Sequence, residues 1–226
     1  MLRLKFLEAG LVAAVVSFSA SSGYADEFSA KLSGFNEIGS IPTSVTVPAG
    51  AIPSVPNPAL TVTTTYTGAV LSNGSGTVTL DLDRNAGTIA YTLKYQNVGV
   101  TPPKTGSVLF AHIHFGKSRD SGGILVYFCT NLPFTSAGHT GPTPPTCPSN
   151  SGTVTGTWSA ANVQAILTQN VAVGDFNALV DALNSNTAYA NVHTMPLPGA
   201  AAGITAFPAG EIRGQCHSEN REHRDN

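Results

Sequence analysis

Two histidines separated by a single residue, in Phe110-Ala111-His112-Ile113-His114-Phe115-Gly116, are the most chemically suggestive feature of the chain. Their apolar and aromatic neighbours read as a β-strand. Successive strand side chains point to opposite faces, so His112 and His114 project together while Ala111, Ile113 and Phe115 project the other way. Two adjacent imidazoles suit two positions in the shell of a metal ion. They equally suit a polar patch in which each ring hydrogen-bonds to its surroundings. His139 falls in a Pro/Gly loop and reads as solvated, whereas His217 and His223, with Cys216, sit where they would gather only adventitious metal.

Other chemistries are poorly served. There is no Gly-x-Ser-x-Gly turn for a nucleophilic serine, no phosphate-cradling glycine loop and no dinucleotide fingerprint. The acidic residues are few and fall mostly in turns, so no carboxylate pair for glycoside hydrolysis can be assigned. Cys216 is the one cysteine that could serve as a nucleophile, and it lacks a placed base. An enzyme is therefore not the leading expectation. A net charge of -2 gives no drive toward anionic polymers or membranes, and no Lys/Arg stripe with interleaved aromatics occurs, so nucleic acid is not an expected partner.

Composition points outside the cytosol. Only 11% of the 226 residues are charged, against roughly 25% in ordinary soluble domains, and Gly, Pro, Thr, Ser and Val are abundant. Residues 1–25 read as a secretory leader: Arg3 and Lys5 open it, Ala9 to Ala20 is an apolar run short for a membrane span, and Gly23-Tyr24-Ala25 ends it. Glu8 is unusual beside that run, and a retained N-terminal anchor is the rival reading. No cysteine near residue 25 supports a lipid anchor. Cleavage after Ala25 removes Arg3, Lys5 and Glu8 from 11 basic and 13 acidic residues, leaving 9 and 12. No later stretch is apolar for long enough to span a membrane, so the expected location is periplasmic or extracellular.

Three cysteines follow, at 129, 147 and 216. A Cys129–Cys147 disulfide would tie down a long Pro-rich loop. Cys216 is then left as a free thiol, an intermolecular link, or a soft metal ligand beside His217.

The elements that would position these groups are strands. Residues 27–34 alternate apolar and polar, while 39–60 carry five prolines and read as a loop or an extended edge segment. Ser72-Asn73-Gly74-Ser75 is a turn between β-type runs, a better explanation of that stretch than its glycosylation sequon. Val78, Leu80 and Leu82, then Ile89, Tyr91, Leu93 and Tyr95, alternate about a turn at 83–87 and make a hairpin. Ile124 to Cys129 is a continuous apolar run that reads as a strand buried on both faces. Thr153 to Trp158 is a further strand. It leads into an excursion over about 159–184, with one helix from the N-cap Ser159 through Leu167 and a second over 175–183. Tyr189, Asn191 and His193 share a face of the strand 188–194, and Glu211 to Gln215 closes the domain. The tail 217–226 has no apolar residue and is expected to be disordered. The fold class is all-β: an antiparallel Greek-key sandwich or barrel spanning 26–216.

The chain resembles the chordin domain (CHRD) family. The likeness rests on Phe28-Ser29-Ala30-Lys31-Leu32-Ser33-Gly34 with Asn36-Glu37, on Ala111 to Gly116, on Gly174-Asp175-Phe176, on Ala188 to Thr194, and on Pro208 to Gln215. The stretches 41–60 and 199–207 look like enlargements of its pattern. The resemblance implies an extracellular β-sandwich or barrel module, found in animals as repeats within a secreted antagonist of growth-factor signalling and in bacteria often standing alone. A looser similarity links the His-x-His strand to the metal strand of copper/zinc superoxide dismutase. That family's bridging-histidine loop and zinc-ligand cluster are not recognisable here.

Within such a barrel His193 is the natural third ligand to His112 and His114, because strands far apart in sequence become neighbours. Three neutral imidazoles suit copper or zinc, with Glu211 or Glu37 as an oxygen ligand or as the acceptor that fixes a tautomer. The competing reading has the histidines bonded to Asn191, Thr194 or backbone in a polar cluster. Glu211 and Arg213 read as a sheet-closing ion pair. The functional expectation is a secreted binding module with a histidine site for copper or zinc. The alternatives are a metal-free structural or protein-interaction domain with extracellular partners, and a copper-dependent redox enzyme.

Overall fold

A computed structural model describes residues 26–47, 60–102, 106–134, 140–195, 207 and 209–219, with side chains for all of these except 39–47 and 60–67. The expected leader, His139, the loop 199–206 and the tail beyond residue 219 lie outside the described residues.

The strands are β1 (Asp26–Ser33), β2 (Gly39–Val47), β3 (Leu60–Gly68), β4 (Ser75–Asp83), β5 (Thr88–Gln96), β6 (Val108–Phe115), β7 (Gly123–Thr130), β8 (Gly152–Trp158), β9 (Ala188–Thr194), β10 (Ile212–Gln215) and β11 (His217–Ser218). One α-helix, α1, spans Phe176–Asn184. The main sheet is ordered β7-β6-β9-β10-β1-β4-β5-β8, with β11 pairing β1. Every pairing is antiparallel. Neighbours such as β6/β9 and β10/β1 are distant in sequence, as the expected class requires.

The alternation of β1, β4 and β5 turns Phe28, Leu80, Ile89 and Leu93 into one core, where each is at most 1% exposed. Cross-strand partners keep these side chains on one face of the sheet. The β7 and β8 ends of the sheet do not join by a ladder. Instead the Trp158 indole N–H donates to the carbonyl of Tyr127 (2.8 Å), the Tyr91 hydroxyl to that of Phe128 (3.1 Å) and the Gln164 backbone N–H to that of Leu125 (2.8 Å). Side chains and one loop thus satisfy the open edge of β7 and nearly close the barrel.

The Cys129–Cys147 disulfide is present, and Cys216 is a free, fully buried thiol. That burial removes it from any intermolecular link, and the neighbouring His217 is exposed.

Several local expectations fail for tertiary reasons. The stretch 160–167 is not an α-helix but two separate 3-10 turns, Ala160–Asn162 and Leu167–Gln169. Gln164 is drawn onto the edge of β7, and the Val163 carbonyl accepts from Gly174 instead of continuing a helix. The Pro-rich segment, by contrast, takes the extended-edge form expected for part of it: β2 pairs only with β3 in a separate two-stranded sheet. The stretch 72–75 lies between two strands as expected, β3 and β4, which belong to different sheets. His217 and Ser218 pair with β1 and are ordered.

Candidate metal centre

β6 lies between β7 and β9, and its register with β9 sets Phe110 opposite His193, His112 opposite Asn191 and His114 opposite Tyr189. Directly opposed residues of antiparallel strands project from the same face. The 2-residue period within each strand therefore collects all three histidines on the face away from Ala111, Ile113 and Val192, which are fully buried in the core. Two register shifts in the β6–β7 pairing leave Phe128 and Leu125 of β7 unopposed, beside His112 and His114. Such bulges re-aim side chains and favour functional positions. They also explain why β7 reads as a continuous apolar run: the alternation is interrupted twice.

His112, His114 and His193 each offer a ring nitrogen, and these three atoms lie within 4.8 Å of one another. Bonds of about 2.0–2.1 Å to one tetrahedral ion put ligand nitrogens roughly 3.4 Å apart, so small ring movements complete such a shell. The His112 ring centroid is 4.3 Å from that of His114 and 4.9 Å from that of His193. Aromatic rings surround the cluster: Phe110 lies 4.7 Å from His193, Tyr127 lies 5.4 Å from His112, and Tyr189 stacks on His114 at 4.6 Å.

Hydrogen bonding separates the three rings. His114 Nδ1 lies 2.7 Å from the Gly122 carbonyl and must carry the proton to bond it, which leaves Nε2 with a lone pair. A ligating histidine is commonly oriented by this kind of backbone contact. Among the described residues neither ring nitrogen of His193 has a hydrogen-bond partner, nor does Nδ1 of His112. Unsatisfied polar atoms are rare inside proteins, and a water or ion is a usual reason for them. Asn191 and Thr194 do not fill this need: the Asn191 amide donates to Glu37 Oε1 (3.1 Å) and to the Ala209 carbonyl (2.8 Å), while Thr194 Oγ1 is itself unpartnered.

Burial holds all three imidazoles neutral. It lowers His193 to about 3, with His114 adding to the effect. It lowers His114 to about 4, against the pull of its bond to Gly122 and with the Arg213 charge assisting. His112 is lowered well below 6.5 by burial and by its two histidine neighbours. Neutral rings bind a metal without first losing a proton.

Glu211 lies outside this cluster. Its carboxylate takes the Gly99 backbone N–H at 2.9 and 3.0 Å and the Ser72 hydroxyl at 2.7 Å, and so clamps two loops. Its expected ion pair with Arg213 does not form. The Arg213 Nη2 donates to the carbonyls of Lys117 (2.8 Å) and Asp120 (2.9 Å), and the guanidinium lies 3.3 Å above the Tyr189 ring. Glu37 is equally separate, bound to Asn191. Gly210, at φ +115°, lets the chain pass beside Asn191, where any Cβ would strike the amide. Sequence reading missed the Gly122 carbonyl and the Phe110 and Tyr127 rings. Phe110 was accessible from its i−2 spacing to His112, whereas Gly122 and Tyr127 depend on the bulged register.

A nearly closed antiparallel barrel with imidazoles gathered on its covered outer face is an all-β domain able to hold a metal ion. The chain belongs to the CHRD domain family, whose sequence model matches residues 28–216. No match to a curated protein was found. Membership supports a binding or protein-interaction module. No helix among the described residues is long and apolar enough to cross a membrane.

Proposed function

We propose that this protein is a secreted CHRD-domain binding module in which His112, His114 and His193 hold one copper or zinc ion. The observation that carries the reading is the convergence of three neutral imidazoles whose buried nitrogens are largely without protein partners. Cu(I), Cu(II) and Zn(II) all accept imidazole nitrogen, and bound metal would add either a structural cross-link between β6 and β9 or a Lewis-acid or redox centre. The chain's own residues hold the rings in place: Gly122 fixes the His114 tautomer, and Tyr189 stacks on it. The disulfide and the leader-like residues 1–25 support an extracytoplasmic setting, and the family supports extracellular protein partners.

Metal analysis of protein purified without a histidine tag tests this reading. Bound copper or zinc, with a melting temperature that rises when the stripped protein is reloaded, is the expected result. No metal and an unmoved melting temperature would leave a protein-interaction domain with structural histidines. Superoxide or oxidase activity of a copper-loaded sample would shift the reading to a redox enzyme.

A further inference from the structure

A groove of about 690 Å³ opens on the same sheet face as the histidines, over β1 and β10. Lys31, the buried Arg213, the turn carrying Phe35 and Glu37, and Arg119 of the β6–β7 connection line it. Its size falls within the roughly 300–1,000 Å³ typical of ligand sites. Three of the chain's 11 basic residues converge here although the net charge is -2. Among the described residues neither Lys31 nor Arg119 is ion-paired; the salt bridge found is Arg84–Asp26. Arg213 is held rigid by its two carbonyl contacts and the Tyr189 ring.

The groove's carboxyl groups do not cancel this charge. Glu37 is only 3% exposed, and burial lifts it to about 8 despite the Arg213 charge, so it is mostly uncharged at neutral pH. Glu219 remains as the anionic counterweight. Phe35 is 68% exposed and offers an open ring face at the groove.

We propose that this groove binds an acidic sugar chain, a uronate-bearing oligosaccharide whose carboxylates meet the exposed Lys31 and Arg119, above the buried Arg213 charge, and whose ring face lies against Phe35. Charge complementarity selects an anion, and the rest of the lining selects a sugar. Ser29, Asn36 and Ser118 supply hydroxyl and amide groups matched to sugar hydroxyls. A peptide would bind most readily by adding a strand to a free sheet edge. No such edge lies under the groove, because β1 is flanked by β10 and β4, and β10 by β9 and β1. The proposal does not rest on the metal reading.

Calorimetric titration of the whole protein with a short oligogalacturonate, in the presence of a chelator, tests the proposal. Neutral malto-oligosaccharide and oligoglutamate serve as comparators. Saturable binding that weakens in high salt is expected, with no binding of the neutral sugar. The double variant Lys31→Ala/Arg119→Ala should raise Kd about tenfold, and Phe35→Ala roughly threefold. All three side chains are exposed, so an unchanged melting temperature should confirm that the variants fold. Absence of saturable binding, a Kd indifferent to the double variant, or oligoglutamate binding as tightly as the uronate would overturn the proposal. Because chelator is present throughout, none of these outcomes bears on the histidine site.

Discussion

His193 and His114 lie in one cluster, yet the scaffold depends on them differently. His193 forms no hydrogen bond through either ring nitrogen among the described residues, while His114 bonds the Gly122 carbonyl. Replacing an unpartnered buried polar group by an apolar one of similar size is nearly neutral. In chelator-treated protein His193→Leu should therefore change unfolding free energy by less than about 1 kcal/mol in denaturant melts, and it should abolish the stabilisation that added metal brings. His114→Leu should lose about 1 kcal/mol even without metal, because the Gly122 bond goes. Equal losses in the two stripped variants would mean that His193 has a structural role the geometry does not show.

The strands legible in the sequence from a 2-residue period were β1, the β4–β5 hairpin, β6, β8 and β9, while β7 was legible as a continuous apolar run and β10 as the closing segment. That period placed His112 and His114 on one face and His193 with Tyr189 and Asn191 on another, and the register then joined the two faces. What the sequence concealed depends on long-range competition. The 160–167 stretch has helical composition, but the unpaired edge of β7 claims the Gln164 N–H. The role of Glu211 rests on loops more than a hundred residues away in sequence, at Ser72 and Gly99, which no local pattern connects. Two predictions belong at this scale. Asp175 caps α1 by accepting from the Ala178 N–H at 3.0 Å, so Asp175→Ala should lower stability by about 1 kcal/mol in a denaturant melt. The Cys129–Cys147 bridge spans a sequence separation of 18 and anchors β7. Its double replacement by alanine should lower stability by about 3 kcal/mol, with hydrogen exchange accelerating first in β7.

For the whole molecule, the buried titratable groups set a pH profile. In metal-free protein His114 and His193 take up protons only near pH 4 and 3, against about 6.5 when unfolded. Their neutral burial is therefore undisturbed above about pH 6.5, and stability falls as pH drops toward 4. Glu37 has the opposite sign. It keeps its proton to about pH 8 in the folded chain but releases it near 4.5 when unfolded, so its contribution is complete below 4.5 and declines as pH rises to 8. Melting temperature of the stripped protein should therefore peak near pH 6.5, and Glu37→Gln should remove the decline above it. A variant whose alkaline limb is unchanged would show that Glu37 is already ionised in the fold.

The central question is whether one ion is shared by three rings contributed by two strands, and X-ray absorption spectroscopy of the metal-loaded protein answers it most directly. Three imidazole nitrogens at about 2.0–2.1 Å are expected in the wild type, falling to two in His193→Leu. A shell with fewer than three histidines, or one that survives the loss of His193 unchanged, would contradict a centre built from His112, His114 and His193.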